Sequence, residues 1–97
     1  MEINIEEIKK NLSDLIYNAL LGSQENSETS LKLIAIVDKN LYNDLLEIKS
    51  RLPFFTNYYD LAKLLESKYP HIFEYLKNIK EFKIYSLISK IKLKAFR

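Results

Sequence analysis

The chain has no cysteine, no tryptophan, one glycine, one histidine and two prolines. Without cysteine there is no disulfide, no thiolate nucleophile and no zinc ribbon. A lone glycine, Gly22, excludes Gly-rich phosphate loops and dinucleotide fingerprints, which need several glycines at fixed spacings. It also speaks against an all-β fold, because tight hairpins draw on glycine. His71 has no motif of carboxylates around it, so neither a metal site nor a His-based triad is credible. The longest unbroken apolar run, Leu33–Val37, is far short of the ~20 residues that cross a bilayer. No charged, apolar and small-residue succession opens the sequence, so a secretory leader is not expected and a cytoplasmic location is.

Acid is missing from one end. From Phe82 to Arg97 the chain carries five cations (Lys83, Lys90, Lys92, Lys94, Arg97) and no Asp or Glu. Residues 1–50 hold five Lys and nine Asp/Glu, a net of −4, whereas residues 51–97 hold ten Lys/Arg and four acids, a net of +6. Such a chain can present its basic end to an anionic partner while its acidic end stays away. What is abundant is apolar: 47% of the 97 residues are hydrophobic, enough to offset the entropy of ordering one small domain. The expectation is therefore a single domain over 1–97, acidic in its N-terminal half and basic in its C-terminal half.

Apolar residues at Ile5, Ile8, Leu12, Leu15, Ile16 and Ala19 recur at helical steps and predict one helix over Asn4–Leu21. Asn4 is placed to cap it, Glu6 and Glu7 suit its positive end, and Gly22 stands where a left-handed residue commonly closes a helix. Ser23 to Ser30 is polar, small and acidic and reads as a solvated surface loop. Leu31 to Leu52 reads as one long helix with Leu33, Ile34, Val37, Leu41, Leu45, Ile48 and Leu52 on its buried face. Asp38 stands against that continuity. The alternative is a short buried strand over 31–37 with a helix starting after Asp38 or Asn40. Pro53 ends the segment, with Phe54 and Phe55 in a turn. Thr56 or Asn57 can cap a third helix, Tyr58 to Glu66. Pro70 suits the first turn of a fourth, His71 to about Phe82. Residues 83–97 fit either a helical face or an edge strand guarded by lysines. The fold expected is mainly α, a bundle of four to five helices. The alternative is α+β, with a small sheet from 31–37 and 83–96.

The segment Thr56–Phe82 (TNYYDLAKLLESKYPHIFEYLKNIKEF) resembles a helix-turn-helix unit of the winged-helix kind. Leu61, Ala62 and Leu65 match the apolar and small positions of a first helix. Pro70 opens a second, with Ile72, Tyr75 and Leu76 at its packing positions. Glu66 and Ser67 depart from the small and apolar residues usual in the turn. The resemblance implies that His71–Glu74 start a recognition helix, with Lys77, Asn78 and Lys80 facing outward, and that the basic tail reaches phosphates. Two packed helices of a small helical domain would give the same pattern.

Two classes of partner follow. For nucleic acid the candidate contacts are Lys77, Asn78, Lys80, Lys83, Lys90, Lys92, Lys94 and Arg97. For an acidic protein partner the candidate anchors are Phe54, Phe55, Tyr58 and Tyr59, as in an adaptor, accessory subunit or inhibitor. Such aromatics can also stack on unpaired bases, or two of the four can simply be core. A homodimer is left open. A basic amphipathic tail could lie on an anionic membrane, a weaker reading without tryptophan. Glu6 with Glu7, and Glu25 with Glu28, are better explained as capping and loop charges than as paired catalytic carboxylates. A non-catalytic binding protein without cofactor or metal is expected.

Overall fold

The computed structural model describes residues 4–55 and 57–84, and among these there is no strand. The fold is mainly α, as the periodicity predicts, and the strand considered for 31–37 does not form. Residues 83–84 are helical, and the rest of the C-terminal alternative lies outside the described residues, as does Thr56. The chain divides into two compact units, Met1–Ser50 and Arg51–Arg97.

In the first unit, the helix expected over Asn4–Leu21 is two helices, α1 (Ile5–Lys10) and α2 (Leu12–Leu21). Asn4 caps α1 by accepting the Glu7 N–H at 3.2 Å. Asn11, at φ −104° and ψ 16°, separates the two, and its N–H is shared between the Glu7 and Ile8 carbonyls. Apolar spacing carries no trace of this break, since Ile8 and Leu12 stay buried on either side of it.

Gly22 ends α2, but not in the left-handed region: its φ is −81° and its ψ 178°. What requires glycine is proximity. A Cβ here would stand 2.6 Å from the Asn18 carbonyl oxygen, the same oxygen that accepts the Gly22 N–H at 2.9 Å.

The expected loop over Ser23–Ser30 is instead the start of α3 (Gln24–Val37). Ser23 caps it by accepting the Asn26 N–H at 3.2 Å, and Glu25 suits the positive end of the helix. The polar composition conceals a buried side. Ser27 and Ser30 are only 3% and 4% exposed, and α3 packs closely on α2 and on α1. Small hydroxyls let two backbones approach where leucine would hold them apart. Ser27 donates to the Ala19 carbonyl in the last turn of α2 at 2.6 Å, satisfying one of the carbonyls that a helix end leaves unpaired.

The long helix expected over Leu31–Leu52 is interrupted at Asp38, with φ −156° and ψ 97°. Its N–H closes α3 on the Ile34 carbonyl at 2.8 Å. Its carboxylate caps α4 (Lys39–Arg51) by accepting the Leu41 N–H at 3.0 Å. An aspartate that disturbs an apolar face is thus the junction of two helices, as its capping chemistry favours. Lys49 of α4 donates to Ser27 at 2.5 Å. Ile16, Ala19, Ile34, Leu45 and Ile48 are fully buried, whereas Leu33, Val37 and Leu52 are only half-buried.

The second unit begins with a 3-10 turn, Leu52–Phe54, in which Pro53 takes an early position. It continues through α5 (Tyr58–Lys68) and α6 (Pro70–Leu76). Asn57 caps α5 by accepting the Asp60 N–H at 3.0 Å. Helix α5 runs past Glu66, and the hydroxyl of Ser67 folds back onto the Lys63 carbonyl at 2.9 Å. Pro70 opens α6 as expected, but the helix stops at Leu76 rather than near Phe82. A turn at Lys77 and Asn78 precedes a further helical stretch over residues 80–84. Leu61, Leu65, Ile72, Leu76 and Phe82 are almost completely buried.

Candidate functional site

The cationic excess of the chain lies in its second compact unit, most of it at the C-terminal end. The first compact unit, which ends at Ser50, carries a net −4; in the second, which begins at Arg51, residues 51–82 sum to +1 and residues 83–97 to +5. The functional question therefore falls on the second unit.

Helices α5 and α6 pack against each other, joined through Tyr69 at φ −132° and ψ 56°. Tyr69 is buried, its N–H bonds the Leu65 carbonyl at 2.9 Å, and its own carbonyl accepts the Ile72 and Phe73 N–H groups at 2.9 and 3.0 Å. One buried residue thus closes α5 and opens α6. His71 is exposed, with its ring edge-on to Tyr69 at 6.3 Å between centroids.

Of the candidate nucleic-acid contacts, Lys77, Asn78, Lys80 and Lys83 are all exposed. Lys77 meets Glu74 one turn back at 2.6 Å, so one charge on the outer side of α6 is matched locally. At this exposure the pair contributes about 0–1 kcal/mol. Among the described residues Lys80 and Lys83 have no carboxylate at ion-pair distance. Lys90, Lys92, Lys94 and Arg97 lie outside the described residues. Two further exposed cations, Lys63 and Lys68, stand on α5 and were not expected as contacts. The Lys63 ammonium lies over the Tyr59 ring, 5.6 Å from its centroid, a cation–π contact. Tyr59, Lys63, Glu66 and Ser67 line an open depression of about 440 Å³ along α5. Their spacing of four, three and one residues marks a single helical face, which is the signal that could have located it.

The candidate aromatic anchors separate by environment. Phe55, Tyr58 and Tyr59 are half-buried. Tyr58 packs edge-to-face with the buried Phe82, centroids 6.4 Å apart and planes at 79°. Phe54 is 83% exposed. It sits on the 3-10 turn, held by Pro53 and by the Phe55 N–H bonded to the Leu52 carbonyl at 3.0 Å.

Among the described residues no group of three or more His, Asp or Glu is placed to hold a metal ion. No helix among them is long and apolar enough to cross a membrane. Comparison with protein-family models, with curated proteins and with solved structures finds no match for this chain.

Proposed function

We propose that this is a non-catalytic binding protein whose basic C-terminal unit takes nucleic acid. The observation that carries this reading is the cationic excess of the second compact unit, +6 over residues 51–97, of which +5 lies in residues 83–97. A compact unit with an excess of cations is the electrostatic footprint of phosphate recognition. Lys63, Lys68, Lys77, Lys80 and Lys83 supply exposed ammonium groups, and Lys90, Lys92, Lys94 and Arg97 continue the series in the sequence.

Recognition of this kind is strong in charge and poor in base selectivity. Lysine is a point charge on a flexible stem and lacks the two-pronged geometry with which arginine reads guanine. Of the fifteen cations only Arg51 and Arg97 are arginine, so affinity is expected to be similar for unrelated sequences. The test is replacement of Lys90, Lys92 and Lys94 together by Ala. Binding to all sequences weakens alike, and the slope of log K against log salt falls by up to about 2.7 for duplex DNA. An unchanged slope with unchanged affinity contradicts this assignment of the tail. An acidic protein partner anchored by aromatics is the second reading, favoured by the exposure of Phe54.

A further inference from the structure

Resting on the nucleic-acid reading, we infer that the ligand is single-stranded, and that Phe54 is the platform on which an unpaired base stacks. A phenyl ring that is 83% exposed forgoes the burial that ordinarily places Phe inside a domain. Its backbone is held in place: Pro53 restricts the chain before it, and the Phe55 N–H bond to Leu52 closes the turn after it. Stacking therefore has only the ring's own side-chain torsions to order, the backbone beneath it being already fixed.

The exposed side chains of the second unit fit a base better than a protein. An aromatic anchor in a protein interface works inside a ring of apolar contacts that excludes water. Among the described residues of this unit, the exposed large apolar side chains are Phe54 and, at 42%, Ile84. The five exposed lysines described in the same unit, Lys63, Lys68, Lys77, Lys80 and Lys83, outnumber its exposed acids Glu66, Glu74 and Glu81, the sign of charge that a phosphate backbone requires. Aromatic rings together with cations that follow a backbone are the recurrent means of binding unpaired strands. Tyr59, half-buried under the Lys63 ammonium, adds a second ring on α5. Duplex reading is served less well: α6 is seven residues long, and Glu74 stands on its exposed side beside Lys77.

The absence of tryptophan from the chain provides a clean probe. In Phe54→Trp the new indole is the sole tryptophan, and a base stacked on it quenches its emission. With the full-length protein at about 50 mM salt, where phosphate contacts are near their strongest, an oligo(dT) strand is expected to quench Phe54→Trp. A duplex of equal length is expected to bind more weakly and leave the emission unchanged. In the wild-type background Phe54→Ala should weaken oligo(dT) binding about 5–150-fold, the equivalent of about 1–3 kcal/mol for one stacked base. Phe54→Tyr should restore most of the loss. The salt slope should be the same in all variants, because no phosphate contact is removed. Circular dichroism of Phe54→Ala should match wild type, since the ring is exposed. Binding of oligo(dT) that neither quenches Phe54→Trp nor weakens in Phe54→Ala overturns the stacking site and leaves the nucleic-acid reading standing. Failure of wild type to bind either strand form overturns both and leaves the acidic protein partner in front.

Discussion

Substituting Ser27 by Ala tests how the first unit is held together. Its hydroxyl is 3% exposed, donates to the Ala19 carbonyl at 2.6 Å and accepts from the Lys49 ammonium at 2.5 Å. One oxygen thus links α2, α3 and α4. Removing it leaves the Ala19 carbonyl without this donor, and an unsatisfied buried polar group costs about 1–3 kcal/mol. Two effects reduce the total. Alanine is a better helix former than serine by a few tenths of a kcal/mol, about 0.5. Lys49 is half-buried and can turn toward water, so its ammonium is not left unsatisfied and adds little to the loss. The net expectation is a loss of about 1–2 kcal/mol. For a domain of this size that lowers Tm by roughly 4–16 °C, at about 4–8 °C per kcal/mol. The assay is urea and thermal unfolding followed at 222 nm, with Lys49→Ala and the double variant completing a cycle. Lys49→Ala alone should cost less than Ser27→Ala, and the double variant less than their sum, because both remove the same bond. A Ser27→Ala protein as stable as wild type, or a strictly additive double variant, would refute the reasoning.

Two further substitutions probe the helix junctions of the same unit. Gly22→Ala should destabilise by about 1–3 kcal/mol, the usual result of forcing an atom into filled space, because its Cβ would meet the Asn18 carbonyl at 2.6 Å; urea midpoints read this, and an unchanged midpoint contradicts it. Asp38→Ala should lose about 0.5–2 kcal/mol as an N-cap is removed, with Asp38→Asn or Asp38→Ser retaining most of it, because each still accepts the Leu41 N–H. Equal losses in all three variants would show that capping is not what Asp38 contributes. In the second unit Asn57→Ala should cost a similar amount, about 0.5–2 kcal/mol, and Asn57→Asp should not.

The features legible in the sequence are those decided within a turn of helix. Asn4, Asn57 and Pro70 act on backbone groups three or fewer residues away, and each stands at the helix start its chemistry predicts. The buried faces are legible in part for the same reason, since Ile34, Leu41, Leu45 and Ile48 lie at helical steps. The serines of α3 are different. Ser27 is a core residue only because the Ala19 carbonyl and Lys49 lie opposite it, and a local reading of 23–30 registers polarity alone. Asn11 and Asp38 break helices without breaking the apolar period, so a pattern of burial passes through both. The same limit governs the candidate site. The lysines at 77, 80 and 83 are exposed, as ammonium groups ordinarily are. That Tyr58 is half-buried rests in part on its packing with Phe82, far along the chain.

The central claim, that the basic C-terminal unit takes nucleic acid, is tested most directly by a fluorescence anisotropy titration of the whole protein against labelled oligo(dT) and labelled duplex DNA, repeated over a series of salt concentrations. The result expected is binding at about 50 mM salt that weakens steeply as salt rises, with a log–log slope of about −0.7 per phosphate contact on the single strand and about −0.9 on the duplex. No binding of either oligomer at about 50 mM salt, where such contacts are near their strongest, would contradict it.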